Sequence, residues 1–314
     1  MTLKRAARGV VGRIQKWLES EDSSSNQAES IPFDNSYRWL GQAFKKLMAD
    51  PVCAQRPQYS WGILQGAALA AVLGVKKISA VELGLGAGAG LVAMERVAEL
   101  CEQMIGIQIQ VFGFDTGTGY PKPKDYRDMP YKSFEGDYPC DKEELRKRLR
   151  RAKVTYGLVG ETVAGFLQSN PPPLGFVGYD VFQYSSTREA LRLFEADHDR
   201  LLPRTPCSFR STVGKDYCDF IGETLAVSEF NAAHEMRKLS RIPGMSYFVP
   251  AEFNSFWTQT IHSLHVFDHP LYNVPESLQR SAIIDVNGRE IFVASQPGAD
   301  LKTARPTWVQ ERSQ

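Results

Sequence analysis

A run of glycines after an apolar stretch is the first feature of this sequence that could do chemistry. Glycines alternate at positions 84, 86, 88 and 90, directly after residues 78–83. Where a strand turns into a helix, missing Cβ atoms let the backbone approach a ligand, and the first helical amides point outward. The segment Glu82–Gly88 therefore favours binding of a nucleotide-like cofactor. A dinucleotide fingerprint over residues 84–89 and a purely structural turn are open alternatives.

The acid at the end of the apolar stretch bears on which cofactor binds. Glu82 lies two residues before the first glycine, where a buried carboxylate is costly unless it is hydrogen-bonded. Dinucleotide-binding strands usually carry an apolar residue there, whereas adenosylmethionine sites place an acid that helps hold the turn and the cofactor's cationic methionine end. Glu82 thus favours adenosylmethionine. A glutamate that only ties down loop amides is the structural alternative.

Three further acids follow later predicted strands. Asp115 ends the second strand, where a carboxylate can accept both ribose hydroxyls of an adenosine, a role common to NAD and adenosylmethionine proteins. Glu161 follows the third strand and is predicted near the adenine. Asp180 follows the fourth, at the crevice where open α/β sheets bind ligands. Asp180 is the candidate base or acceptor-orienting group, with a helix cap or a partner of Arg210 as the alternative.

The elements that position these acids alternate between strand and helix. Apolar, β-branched runs predict strands, and apolar residues at helical spacing predict the helices between them. The predicted strands are 78–83, 107–114, 154–159, 175–179 and 205–209, and the helices include 35–49, 62–73, 91–104, 141–151, 161–168, 187–194 and 220–239. Strand, turn, helix and strand between residues 78 and 114 is the βαβ pattern of a parallel sheet.

The two ends of the chain differ from its centre. Residues 1–20 place apolar residues at helical spacing among Lys and Arg, with no acid before Glu19. This predicts a basic amphipathic helix that either contacts a membrane surface or partner protein, or packs on its own domain. We predict that residues 1–30 form this basic helix and a flexible polar linker, and that residues 31–314 form one α/β domain. That domain carries N-terminal helices, a long loop at 117–140 and a C-terminal hairpin turning at Asn287–Gly288.

Bulk composition excludes several classes of protein. The chain has 314 residues, of which 43% are hydrophobic, and a net charge of +1, which gives no indication of nucleic-acid binding. Its five cysteines are dispersed and odd in number, as in a cytoplasmic protein with reduced thiols. No apolar run approaches the roughly 20 residues that span a bilayer, and no signal-peptide pattern stands at the start. We therefore expect a cytoplasmic protein.

Several short motifs occur together, in order, over about residues 58–275. They are Tyr59-Ser-Trp-Gly62, Val81-Glu-Leu-Gly84, Gly113-Phe-Asp-Thr-Gly117, Gly178-Tyr-Asp180, Tyr184-Ser-Ser-Thr187 and Phe267-Asp-His-Pro-Leu-Tyr-Asn273. The chain resembles class I adenosylmethionine-dependent methyltransferases, and more narrowly the branch similar to macrocin O-methyltransferase. The resemblance implies a Rossmann-like α/β fold, with a mostly parallel seven-stranded sheet and helices on both faces. It also implies cofactor contacts from Glu82, Gly84, Gly86, Gly88, Asp115 and Glu161.

The chain departs from this family where a metal is expected. Relatives that methylate sugar hydroxyls hold a divalent metal with acids after strands four and five. Here those positions read Asp180-Val-Phe-Gln-Tyr184 and Phe209-Arg-Ser-Thr212. One carboxylate is too few for Mg²⁺ unless water or substrate oxygens complete the shell. Arg210 would repel a cation and could replace it by pairing with Asp180 or an anionic substrate group. We therefore predict no metal ligands.

The predicted function is methyl transfer from adenosylmethionine to a hydroxyl of a small polar or sugar-like acceptor. A non-catalytic protein of the same fold and an NAD-dependent oxidoreductase are the alternatives, and an oligomer is left open. The histidines at 198, 234, 262, 265 and 269 are alternative bases, each with a structural role as its own alternative. Tyr120, Tyr126 and Tyr131 could form a lid over the acceptor, or only pin a surface loop.

Overall fold

The computed structural model describes residues 35–273, 282–284 and 290–292. The chain divides into two compact units, residues 1–276 and 277–314. The predicted basic helix of residues 1–20 and the linker after it lie outside the described residues. The second unit contains two short strands, Ala282–Ile284 and Glu290–Phe292, which pair antiparallel. The Asn287–Gly288 turn predicted between them also lies outside the described residues.

Seven strands of the first unit form one sheet. In chain order they are β1 (Lys77–Leu83), β2 (Gln108–Asp115), β3 (Lys153–Tyr156), β4 (Leu174–Tyr179), β5 (Arg204–Phe209), β6 (Arg237–Arg241) and β7 (Ile261–Val266). Their order across the sheet is β3-β2-β1-β4-β5-β7-β6. β1 to β5 run parallel, and β7 is antiparallel to its neighbours β5 and β6. The predicted mostly parallel, seven-stranded sheet is confirmed.

Helices cover both faces of this sheet, as predicted. They are α1 (Asn35–Met48), α2 (Pro57–Val72), α3 (Ala89–Ile105), α4 (Lys142–Arg148), α5 (Val159–Gln168), α6 (Tyr184–Ala190), α7 (Gly222–Ala233) and α8 (Met245–Phe248). Phe44 of α1, Leu64 of α2 and Met94 of α3 belong to one buried core. Val163 of α5 and Phe230 of α7 belong to the core on the other face. Each such side chain stabilises the fold by about 1.5–3 kcal/mol on burial.

Two predicted elements are wrong in their extent. The single helix predicted over 220–239 ends at Ala233, and β6 begins at Arg237. The Asn231 side chain bonds both the amide and the carbonyl of Leu239, so it holds the chain as it turns back into the sheet. The third strand, predicted to reach residue 159, ends at Tyr156 because the chain turns there to begin α5 at Val159.

No helix of the described residues has both the length and the apolar character needed to cross a membrane. All five cysteines are free, and four of them are buried. The sequence indicated reduced thiols, and most of these thiols pack in the interior, as free cysteines commonly do.

The contact between α2 and β4 yields a stability prediction. A Cβ at Gly66 of α2 would overlap the carbonyl oxygen of Gly175, whereas a Cβ at Gly165 of α5 would meet nothing within 4 Å. Gly66→Ala should lower the free energy of unfolding by about 2 kcal/mol, since overpacking outweighs helix propensity. Gly165→Ala should raise it by about 0.5–1 kcal/mol. Urea unfolding measures both, and an equal gain in the two variants would contradict this packing.

Candidate active site

A cavity of about 860 Å³ lies at the carboxyl edge of the sheet. The residues that follow β1 to β5 form its walls, together with part of the segment 117–140 after β2. Open α/β sheets bind ligands at this edge. Five of the residues singled out in the sequence line the cavity together: Gly84, Gly86, Asp115, Glu161 and Asp180. The acids after β2, β3 and β4 therefore do share one crevice.

Glu82 lies in the sheet behind the glycine turn, outside the cavity lining. Its side chain is 1% exposed. In register, its neighbours on β2 and β4 are Gly113 and Gly178, so no side chain competes with the carboxyl on either side. The Tyr59 hydroxyl of α2 donates to Glu82 Oε1 at 2.9 Å. A Cβ at Gly178 would press on the Tyr59 ring, so this glycine also leaves room for the donor.

The second oxygen of Glu82 has no partner within the described part of the protein. Oε2 is buried and has no hydrogen-bond partner among the described residues. Burial raises the pKa of Glu82 to about 8; the nearby Asp180 charge adds to this, and the bond from Tyr59 opposes it. A buried carboxyl in this state is stabilised as an anion when a cation comes close.

Asp115 ties down the glycine turn, a role that the sequence left open for Glu82. Asp115 Oδ2 accepts the amides of Leu85 at 2.7 Å and Gly86 at 3.3 Å. Asp115 Oδ1 accepts the Gly117 amide at 2.6 Å. Since a carboxylate oxygen can accept two hydrogen bonds, Oδ1 keeps capacity for a ligand hydroxyl.

The turn after β1 contacts the loop after β4 through backbone atoms. Gly84 has φ of 84°, and a Cβ there would overlap the carbonyl oxygen of Asp180. The Asp180 amide donates to the Leu83 carbonyl at 2.8 Å. Only glycine combines this φ with so close an approach. Gly88 lies at the start of α3, packed beneath Leu145 and outside the cavity lining.

Asp180 forms an ion pair with Arg210, so the alternative considered for it is present in the structure. Arg210 Nη1 lies 2.9 Å from Asp180 Oδ2, and the two side chains are 64% and 23% exposed. Burial raises the pKa of Asp180, and the Arg210 guanidinium opposes that rise. Within the described part of the chain, no three His, Cys, Asp or Glu side chains cluster as metal ligands would. A carboxylate bound to a guanidinium does not suit Mg²⁺.

Glu223 is a site residue that sequence reasoning missed. It lies in the first turn of α7 and is fully buried. Its Oε2 accepts the Ser211 amide at 2.6 Å, and the Phe182 amide also bonds to the carboxyl. Glu223 thereby joins the loop after β4 to the loop after β5, which carry Asp180 and Arg210. Burial raises its pKa to about 8, and its Oε1 has no partner among the described residues.

Buried polar side chains hold the segment 117–140 against the start of α6. Asp128 is 1% exposed, and its carboxylate accepts the amides of Lys124 at 2.8 Å and Ser185 at 2.7 Å. Gln183, also buried, donates to the Pro121 carbonyl at 2.8 Å. These bonds place the segment as one wall of the cavity.

Aromatic rings line the mouth next to Asp180. Tyr120 stacks on Phe182 with ring centroids 5.7 Å apart, and Tyr138 meets Tyr120 edge-on at 5.3 Å. Phe182 adopts a φ of 63°, which is strained for a non-glycine residue and holds the ring in this stack. Of the three tyrosines predicted as a lid, only Tyr120 lines the cavity, while Tyr126 and Tyr131 are exposed.

The histidines considered as bases lie elsewhere. None of the five, all within the described residues, lines the cavity. His262 is buried in β7, where burial lowers its pKa to about 4, so it is neutral near pH 7. Its Nδ1 lies 3.0 Å from the Thr260 carbonyl, which satisfies the ring within the core.

The chain was also compared with known proteins. No family model and no curated protein sequence matches it. CalS11, a calicheamicin methyltransferase, is 20% identical with a TM-score of 0.43, over 71% of this chain and 96% of that one. TomG, an O-methyltransferase from Streptomyces achromogenes solved with SAM, is 12% identical with a TM-score of 0.38, over 85% and 99%. At these sequence identities and TM-scores, neither neighbour assigns an activity to this chain.

The two buried glutamates predict an unusual pH dependence of stability. Their folded pKa of about 8 exceeds the ordinary value of 4.5, so the folded state holds more protons than the unfolded state between these values. The free energy of unfolding should therefore fall as pH rises from about 6.5 to 8, by up to about 1.4 kcal/mol per pH unit for each group. Below 6.5, the lowered pKa of His262 contributes the opposite slope.

Urea unfolding at several pH values checks this slope. The double variant Glu82→Gln/Glu223→Gln should flatten it, because neither glutamine titrates. The exposed control Glu143→Gln should keep it. Stability that rises with pH over this window, or a double variant with the slope of the native chain, would contradict the assignment of two neutral buried carboxyls.

Proposed function

We propose that this chain is an adenosylmethionine-dependent methyltransferase that methylates a hydroxyl of a small polar or sugar-like acceptor. One observation carries the proposal: two chemically different groups of residues line a single cavity. We assign the glycine turn, Asp115 and Glu161 to a cofactor half, and Asp180 with Arg210 to an acceptor half. Its volume of about 860 Å³ lies within the usual range of small-molecule sites, about 300–1,000 Å³.

The first half suits adenosylmethionine. The turn at Gly84 and Gly86 exposes backbone to the cavity, and the spare acceptor capacity of Asp115 suits ribose hydroxyls. Glu161 is an exposed carboxylate of the same lining, and we assign it to the adenine of the cofactor. Glu82 lies behind the turn, and we assign it a long-range electrostatic role: its buried carboxyl would favour a cationic group bound at the turn.

The second half suits proton removal from an acceptor. When bound, adenosylmethionine supplies a methyl group made electrophilic by its positive sulfur. Asp180 would accept the proton that the acceptor hydroxyl loses on methylation. Burial raises the pKa of Asp180, and the Arg210 guanidinium opposes this rise. Glu223 positions both residues through the loop amides that it accepts.

We further propose that catalysis needs no divalent metal. The donor set supports this, because Asp180 is bound to Arg210 and the loop after β5 offers Ser211 and Thr212 in place of carboxylates. The guanidinium takes the place of a cation next to the carboxylate.

A cytoplasmic location and a small-molecule acceptor also belong to the proposal. Free cysteines support the location, and the balanced net charge supports a partner other than nucleic acid. Contact of residues 1–20 with a membrane surface or a partner protein stays a prediction.

Calorimetric titration tests the cofactor. Adenosylmethionine and adenosylhomocysteine should bind at least about 100-fold more tightly than NAD, a difference of about 2.7 kcal/mol. Glu161→Ala should weaken adenosylhomocysteine binding about tenfold through loss of charge-assisted hydrogen bonds, and the exposed Glu143→Ala should not. Preferred binding of NAD would support an oxidoreductase instead, and binding of neither would support a non-catalytic protein.

Transfer of a labelled methyl group from adenosylmethionine to a small-molecule pool tests the reaction. Asp180→Asn should lower the transfer rate about 100-fold, the usual contribution of a general base, and leave cofactor affinity nearly unchanged. The exposed Asp197→Asn serves as a control. EDTA should leave the rate of the native chain unchanged. An unimpaired Asp180→Asn variant would contradict the assigned base, and full inhibition by EDTA would contradict the metal-independent mechanism.

A further inference from the structure

Basic side chains outnumber acids around the cavity. Six basic residues line it: Arg56, Lys122, Lys124, Lys132, Arg192 and Arg210. The lining acids are Asp115, Glu161, Asp180 and Glu189. Asp115 and Glu161 belong to the half assigned to the cofactor. With six basic and four acidic residues, the lining as a whole carries an excess of two positive charges.

Three of these six cations have a carboxylate partner within the protein. Arg210 pairs with Asp180, as described above. Lys132 Nζ lies 3.3 Å from Asp216, and Arg192 lies 3.7 Å from Glu189. Arg56 and the two lysines Lys122 and Lys124 form no ion pair with any described residue. Of these three, the two lysines stand two positions apart on one short segment of the cavity wall.

The backbone that carries these two lysines is held in place from below. The sequence Pro121-Lys-Pro-Lys124 alternates prolines, whose rings restrict φ, with the lysines. Both lysines are exposed and both prolines are half-buried, as in an extended strap with one face on the protein. The buried side chains of Gln183 and Asp128 bond its two ends, at 2.8 Å each. An ordinary solvated loop needs no such buried anchors.

We propose that Lys122 and Lys124 bind a phosphate-type oxyanion of the methyl acceptor, a phosphate ester or a diphosphate. Two adjacent ammonium groups match a dianion, whereas a single carboxylate needs one. The inference rests on the proposed function, because it assigns the class of acceptor to the same cavity. It places the anionic end of the acceptor at the mouth and its hydroxyl inward, near Asp180.

Titration of the full chain with inorganic pyrophosphate, in metal-free buffer, tests the site. Pyrophosphate should bind with and without adenosylhomocysteine, and the affinity should fall as salt rises from about 0.05 to 0.2 M. The double variant Lys122→Gln/Lys124→Gln should weaken binding about tenfold. Lys122→Arg/Lys124→Arg should retain it. The matched control Lys76→Gln/Lys77→Gln removes the same charge at the start of β1, on the opposite edge of the sheet, and should bind normally.

Three results would overturn the proposal: no binding of pyrophosphate, equal weakening in the Lys76/Lys77 control, or displacement of pyrophosphate by adenosylhomocysteine. Binding of malonate as tightly as pyrophosphate would overturn the assignment to phosphate. The proposed methyltransferase activity and the proposed anion site would fail in different experiments. If adenosylhomocysteine does not bind while pyrophosphate binds through the two lysines, the anion site stands and the cofactor assignment is contradicted.

Discussion

The buried carboxyl of Glu82 is the constraint on which the site depends. Its neighbours in the sheet are Gly113 and Gly178, and each is followed two residues later by an acid, Asp115 or Asp180. The same Gly-x-Asp pattern on β2 and β4 thus makes room for one carboxyl inside the sheet and places two more at its edge. Tyr59 lies on α2 and donates a hydrogen bond to the Glu82 carboxyl. A Cβ at Gly178 would press on the Tyr59 ring that donates to Glu82, and a Cβ at Gly90 in the first turn of α3 would overlap the Glu82 carboxyl itself.

The charges at this edge are balanced in different ways. Backbone amides bind Asp115, the Arg210 guanidinium binds Asp180, and burial favours the neutral form of Glu82 and Glu223. Carboxyls that lie close together cannot all stay ionised without partners, so each of these four is either bound by a hydrogen-bond donor or cation, or favoured in its neutral form. This division gives the two halves of the cavity their chemistry: acceptors for a cationic, adenosine-bearing cofactor on one side, and a base with a nearby guanidinium on the other.

The sequence predicted β1 to β5 and the glycine turn well because their signals are local, whereas the count of seven strands came from the family resemblance. A β-branched run followed by glycines marks β1 and its turn within a residue, and the acids after β2 to β4 share the crevice that their positions indicate. Features that depend on contacts between residues far apart in the sequence could not be predicted from it. Glu223 is only a first-turn acid until Ser211 is seen beside it, and the backbone of Lys124 looks like an ordinary loop until the buried Asp128 carboxylate is seen to accept its amide. The helix predicted over 220–239 failed for the same reason, since Asn231 turns the chain through bonds to β6.

A crystal structure of the chain with adenosylhomocysteine tests the central claim most directly. We predict the ligand in the cavity along the turn at Gly84 and Gly86, with its ribose hydroxyls on Asp115 and its sulfur facing Asp180. Its amino group should lie on the side of the turn nearest Glu82. Adenosylhomocysteine bound elsewhere, or bound with its ribose away from Asp115, would contradict the division of this cavity into a cofactor half and an acceptor half.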